Sequence, residues 1–275
     1  MSGRSRRAPA IRCLVLAAVL ALLGACNAAP STRTGPSPST AAGTTVVSLT
    51  FDDGQATQYA TLAMLSSRRM VGTYYINSAM VDSSNYYMSW SQISELAAAG
   101  NEIGGHTLHH ANLSTVDATR AKSEICDDRT NLLNRGFRPV TSFAYPEAAS
   151  TPAVEQIVRD CGYTNARAAG DVACGGCPYA ETVPPPDRYY LRTPPGITTS
   201  TTVADLKGYV TNAETHGGGW VILAFHGICD NRCTEDNSIS PEIFTPFLDW
   251  LADRVAHGVV VRTVGEEMKV AGGGT

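Results

Sequence analysis

Apolar residues fall in short runs separated by longer stretches with helical spacing. The run at 45–51 (TVVSLTF) is β-branched and stops at Asp-Asp-Gly, which marks a buried strand ending in a turn. Runs of the same kind recur at 72–76, 102–105, 140–145, 164–167, 220–225 and 259–261. Between them, helical periodicity covers 56–68, 90–99, 116–134, 152–159, 203–214 and 241–257. Regular alternation of strand and helix predicts a parallel sheet covered by helices, closed as a barrel or open and doubly wound. No Gly-rich phosphate loop follows the first strand, so a barrel is the expectation, with its site at the C-terminal strand ends.

The start of the chain has a different pattern. Residues 11–25 are apolar apart from Arg12, follow Arg4, Arg6 and Arg7, and fall short of the roughly 20 residues of a membrane-spanning helix, which reads as an export signal. Its end, Leu23-Gly24-Ala25-Cys26, resembles a lipobox, which would make Cys26 a lipidated first residue; an ordinary signal peptide that contains a cysteine is the alternative. The stretch from 27 to 43 is Ala, Ser, Thr, Pro and Gly with one charge, too poor in large apolar groups to offset the entropy of ordering. The expected organisation is a signal peptide at 1–25, a flexible linker at 26–43 and one folded domain at 44–275.

Composition narrows the partners. The chain of 275 residues is 43% hydrophobic, enough for a sizeable core. Of 21 basic side chains, the four arginines at 4, 6, 7 and 12 lie in the signal, leaving 17 against 25 acidic ones, a formal −8. Nucleic acid, which needs a basic face, is excluded as a partner. Cys126, Cys161, Cys174, Cys177, Cys229 and Cys233 are an even set in an exported chain, so three disulfides are expected. Cys174 with Cys177 and Cys229 with Cys233 are close enough to pair locally, leaving Cys126 with Cys161. The sequence alone leaves other pairings open, as well as a four-thiolate zinc site.

Candidate chemistry gathers at strand ends. The first strand ends in Asp52-Asp53-Gly54, and the third in His106-Thr107-Leu108-His109-His110. Histidines at i and i+4 face one side of a helical turn, and with a carboxylate they form a set that can converge on a metal. Leu223-Ala224-Phe225-His226-Gly227 closes the sixth run. Two carboxylates and three histidines at neighbouring strand ends supply a metal site, a base and an acid, as metal-assisted hydrolysis requires.

These motifs resemble those of the polysaccharide deacetylases of carbohydrate esterase family four, which share the nodulation-factor deacetylase homology domain. The resemblance runs from about Val46 to Val264 and rests on Thr-Phe-Asp-Asp-Gly, His-Thr-x-x-His and Leu-x-Phe-His. It implies a deformed (β/α)7 barrel, one divalent metal (zinc, with cobalt as the other candidate), and removal of acetyl groups from a polysaccharide. By the same resemblance Asp53, His106 and His110 are the metal ligands, Asp52 the general base and His226 the acid; His109 has no role. Phe143-Ala144-Tyr145-Pro146-Glu147 departs from the commonest middle motif, and Ala144 stands where an arginine normally orients the catalytic aspartate. Arg167, at the next strand end, could reach that carboxylate instead or make a surface ion pair, and Tyr145 is the other candidate support. The Glu147 backbone N–H stands where the family binds the oxyanion.

The leading expectation is therefore an N-deacetylase of chitin oligosaccharides, peptidoglycan or poly-N-acetylglucosamine, monomeric, exported and either lipid-anchored or released. The alternatives are an acetyl xylan O-deacetylase and a non-catalytic carbohydrate-binding lipoprotein. Retention of Asp52 and His226 counts against the last.

Overall fold

The computed structural model describes residues 43–229 and 235–272. The strands are β1 (Thr45–Phe51), β2 (Gly72–Ile76), β3 (Glu102–Gly105), β4 (Ser142–Ala144), β5 (Asn165–Asp171), β6 (Leu191–Thr193), β7 (Gly219–Phe225) and β8 (Val260–Val261). The helices are α1 (Thr61–Ser66), α2 (Trp90–Ala98), α3 (Ala118–Asn134), α4 (Pro152–Asp160), α5 (Val203–Thr215), α6 (Pro241–Ala256) and α7 (Val264–Ala271). Neighbouring strands pair in parallel in the order β6-β5-β4-β3-β2-β1-β7, and β6 comes back against β7, so the sheet nearly closes into a barrel of seven strands. β7 runs along all of β1, while β2 pairs with Leu49–Phe51 and β8 with Val46–Val47 of the opposite edge.

The expected (β/α)7 barrel is present, with local differences from the sequence reading. β6 was not expected, because Leu-Arg-Thr is too short and polar to register as an apolar run. The strand ending at Phe225 is therefore β7 rather than the sixth. β4 is shorter than 140–145, since the Val140 carbonyl accepts from Arg129 Nε at 2.9 Å and Tyr145 already caps a 3-10 turn. α7 also went unread, although Thr263 and Glu266 form a capping box at its start. Among the described residues, no helix is long and apolar enough to cross a membrane.

Strand alternation sorts the core into two sides. Val47, Leu49 and Phe51 of β1 face the main core between sheet and helices, where Phe51 stacks on Tyr74 with ring centroids 4.6 Å apart. Val46, Ser48, Thr50 and Asp52 alternate with them and line the barrel interior. Val46 packs there against Trp220, Ile222 and the base formed by Val264 and Met268 of α7. Ser48 accepts from Trp220 Nε1 at 2.9 Å, Thr50 donates to the Leu223 carbonyl at 3.0 Å, and Glu102 accepts from Ser142, Thr73 and the Gly265 N–H. The barrel thus has an apolar floor, a polar middle and Asp52 at its mouth.

Gly105 ends β3 at the tightest point of this frame. A Cβ there would stand 1.9 Å from the Tyr163 hydroxyl oxygen and 2.6 Å from Asp128 Oδ2. Gly105→Ala is expected to force both side chains aside and destabilise the fold by about 1–3 kcal/mol, the range for overpacked cores. Chemical denaturation at neutral pH checks this; a midpoint equal to wild type would mean that the β3 end gives way without strain.

Candidate active site

β1 delivers two carboxylates to one pocket by changing hand. Asp52 keeps the strand's alternation and points inward, and its N–H donates to the Phe225 carbonyl at 2.9 Å. Asp53 (φ 75°) and Gly54 (φ 68°) are left-handed, which turns the second carboxylate to the same side. Gln58 Nε2 donates to the carbonyls of both Asp52 and His226, tying the β1 end to the β7 end.

The two histidines after β3 meet Asp53, but not through the helical turn expected from their spacing. Residues 106–110 form a loop in which Thr107 (φ 69°) and His110 (φ 59°) are left-handed, and this brings the two rings together. His106 Nε2 lies 3.4 Å and His110 Nε2 3.3 Å from the same Asp53 oxygen, Oδ1. The His106 Nδ1–H donates to the Ala144 carbonyl at 2.8 Å, which presents the Nε2 lone pair to Asp53. Asn77 Nδ2 donates to the His106 and Thr107 carbonyls, and the buried Asp128 accepts from the backbone N–H groups of His106 at 3.1 Å and Ser78 at 3.0 Å. His109 turns away onto Glu124, 3.0 Å distant.

The ligand atoms of Asp53, His106 and His110 all lie within 4.8 Å of one another. Asp53 Oδ1 is buried and has no hydrogen-bond partner. The His106 Nε2 lone pair and the unpartnered Asp53 oxygen repel one another unless positive charge lies between them. One carboxylate and two imidazoles suit zinc or a similar divalent cation, so the residues fit the expected metal.

Asp52 is held from across the barrel. Arg167, on β5 and 2% exposed, donates through Nη2 to Asp52 Oδ2 and through Nη1 to the Ala168 carbonyl at 2.9 Å, with its guanidinium carbon 5.3 Å from the Tyr75 ring centroid. Arg167 thus reaches the Asp52 carboxylate from a buried position rather than pairing at the surface. His226 Nε2 lies 3.8 Å from the same Oδ2, and Asp52 Oδ1 is buried with no partner. Burial works against the charged form of Asp52, but Arg167, His106 and His226 outweigh it and hold its pKa below the ordinary carboxylate value. Burial likewise opposes ionisation of Asp53, and the neighbouring His106, His226 and His110 prevail, lowering its pKa.

The remaining sequence candidates lie around this centre. Tyr145 is not available to Asp52, because its hydroxyl donates to the Tyr189 carbonyl at 2.9 Å. Glu147 is exposed and left-handed (φ 55°), with its carboxylate accepting from Asn112 at 2.6 Å. Cys126–Cys161 and Cys174–Cys177 are disulfides, which removes the four-thiolate zinc alternative. Cys229 is also disulfide-bonded. Cys233, Cys26 and the segments 1–25 and 26–42 lie outside the described residues. Asp128 went unread, yet it shares an α3 face with the buried Ala121, Ile125 and Leu132, and a carboxylate in that row was the available signal.

The polysaccharide deacetylase family profile matches residues 40–166. A chitin deacetylase of Pestalotiopsis sp. is 36% identical over 85 residues, covering 30% of this chain and 28% of its own. The chain spans less than half the length of the curated relatives it matches. Among solved structures, the Xyl-CE4 domain of a multidomain xylanase from the hindgut metagenome of Trinervitermes trinervoides superposes with a TM-score of 0.57 at 18% identity, over 83% of this chain and 92% of its own. A family 4 acetyl xylan esterase from Clostridium thermocellum, in complex with a cobalt ion, gives 0.55 at 16% identity, over 82% and 92%. Both share the fold.

Burial pushes the Asp128 carboxyl up to about 7, against the hydrogen bonds from Ser78 and His106. The folded chain then holds this proton more tightly than the unfolded chain, so the group's contribution is complete below about pH 4 and lost as pH rises through 7. In metal-free protein, Asp128→Asn is expected to remove roughly 2–4 kcal/mol of that decline. Urea denaturation of both proteins at about pH 4.5 and about pH 7.5, on either side of the transition, measures the slope; equal slopes would show that Asp128 is ionised throughout.

Proposed function

We propose that the chain, whose residues 40–166 belong to the polysaccharide deacetylase family, is a metal-dependent hydrolase that removes N-acetyl groups from an extracellular polysaccharide of the chitin or peptidoglycan type. One observation carries the reading: a buried carboxylate, Asp52, is kept ionised by Arg167 beside the convergent set Asp53, His106 and His110, with His226 Nε2 3.8 Å from the oxygen that Arg167 holds. A pure binding protein has no use for a base and an acid arranged around a metal-ligand set. The similarity to a chitin deacetylase favours an N-acetyl over an O-acetyl substrate.

Asp53, His106 and His110 would hold a divalent cation, zinc in the first instance. Bound there, it supplies a more acidic water and a polarised acyl oxygen. Asp52 receives the water's proton at Oδ1, the oxygen that Arg167 leaves unpartnered, as the water oxygen bonds to the acetyl carbon. The Glu147 N–H, presented by a left-handed turn, donates to the oxyanion. His226 gives a proton to the sugar nitrogen as the C–N bond breaks, releasing acetate and a free amine. In the same reading residues 1–25 direct export, Cys26 carries a lipid that anchors the monomer at the cell surface, and the disulfides belong to that oxidising setting.

Acetate release from chitin oligosaccharides, peptidoglycan and acetylated xylan, with and without zinc, tests the assignment: chelation should abolish turnover and the N-acetylated chains should be preferred. Release from xylan alone would make the protein an O-deacetylase. Asp52→Asn and His226→Ala should each slow turnover by about 10²–10⁴-fold with metal still bound. Near-wild-type rates in either variant would remove its role. Arg167→Ala, which strands a buried carboxylate, should cost about 3–5 kcal/mol of stability by denaturant titration; an unchanged midpoint would mean that Asp52 finds another partner.

A further inference from the structure

Asp53 has two oxygens in different situations. Oδ1 faces His106 and His110 without a hydrogen bond, while Oδ2 accepts from Gln55 Nε2 at 3.2 Å. The same Gln55 nitrogen donates to Glu235 Oε2, also at 3.2 Å, and Glu235 Oε1 accepts from the Tyr86 hydroxyl at 2.6 Å. Both partners of the Gln55 amide are carboxylate oxygens, which only accept, so the NH2 group must face them and each of its hydrogens serves one. Gln55 is 4% exposed. Its backbone is fixed as well: the Ala56 N–H donates to the Tyr86 carbonyl at 2.7 Å, and the Met88 N–H to the Gly54 carbonyl at 2.9 Å.

We infer that Gln55 and Glu235 are positioning residues of the metal centre: Gln55 fixes the rotation of the Asp53 carboxylate so that Oδ1 alone faces the two histidines, and Glu235, held by Tyr86, fixes Gln55. The chain Tyr86-Glu235-Gln55-Asp53 links two segments, 84–88 and 235–239, that no strand pairing brings together at the barrel mouth. Without it, the Asp53 side chain could rotate about its terminal torsion and present either oxygen, and the three-ligand geometry would lose its preorganisation. The inference rests on the metal-binding reading above.

The test is metal affinity, measured with zinc and cobalt by competition against a chromophoric chelator on the metal-stripped protein. Gln55→Ala should weaken binding by about 10–100-fold, the usual effect of removing a hydrogen-bond partner of a metal ligand. Glu235→Ala should weaken it less, and Glu235→Gln, whose carbonyl oxygen still accepts from Gln55 while its NH2 donates to the Tyr86 hydroxyl oxygen, should restore most of the loss. Because Glu235 acts through Gln55, the double variant Gln55→Ala/Glu235→Ala should bind no more weakly than Gln55→Ala alone. A role in folding alone predicts a lowered thermal midpoint with unchanged affinity, and that result overturns the inference, as does additivity in the double variant. Should Gln55→Ala fail to fold, the exposed-side variants Glu235→Ala and Glu235→Gln decide, since equal affinity in both and in wild type is incompatible with the relay. Wild-type protein that binds neither metal would overturn the function itself, whereas wild-type binding with an unaffected Gln55→Ala variant would overturn this inference alone.

Discussion

The ion pair between Asp52 and Arg167 governs the mouth of the barrel. Its members come from β1 and β5, on opposite sides of the sheet order, so the contact exists only when the sheet curls. An ionised carboxylate and a guanidinium buried together are stable as a pair and strongly unfavourable apart. The barrel interior is therefore committed to one closure, and the polar middle of Ser48, Thr50, Tyr75 and Glu102 follows from it. The same pair leaves Asp52 with one engaged oxygen and one free one, an asymmetry that Gln55 repeats at Asp53. In each aspartate one oxygen is held so that the other is presented.

Backbone strain recurs at the same place. Asp53, Thr107, His110 and Glu147 are all left-handed without being glycine, a conformation that costs of order 1 kcal/mol or more for such residues. The surrounding hydrogen bonds offset it: Gln58 and the Phe225 carbonyl at Asp52, Asn77 and Asp128 at His106, and Asn112 at the Glu147 carboxylate. The convergence of side chains from three loops is thus a property of over-determined backbone turns, which accounts for the failure of a simple helical-turn argument at 106–110.

What was legible in the sequence is what local pattern controls. β2 and β3 are bounded as their apolar runs are, and the strand ends carrying Asp52, His106 and His226 could be read because Asp-Asp-Gly and the histidine cluster interrupt those runs. Elements whose reason is tertiary were not legible. β6 is a strand because Arg167 and Asp171 of β5 offer it an edge, and α7 is needed as a floor for Val46 and Trp220. The residues that orient the ligands were hidden for the same reason. Gln55, Gln58 and Asn77 are ordinary loop polars until the fold shows which carbonyl or carboxylate each one faces, whereas Arg167 could be anticipated because a missing arginine at Ala144 left Asp52 in want of a cation.

Charge explains why the centre has this form. With neutral histidines, Asp52, Asp53 and Arg167 sum to one negative charge in a poorly solvated space. Burial opposes protonation of His106, yet Asp53 and Asp52 outweigh it and raise its pKa, so the two carboxylates favour positive charge at this ring. Proton and cation thus compete for the same Nε2 lone pair, and each balances the same carboxylate. A divalent cation held there would turn the local charge from one negative to one positive, which suits an acyl oxygen that gains negative charge during hydrolysis. The fixed groups create the electrostatic deficit, and the orientation imposed by Ala144 on His106 and by Gln55 on Asp53 directs that deficit to a single point between the three ligand atoms.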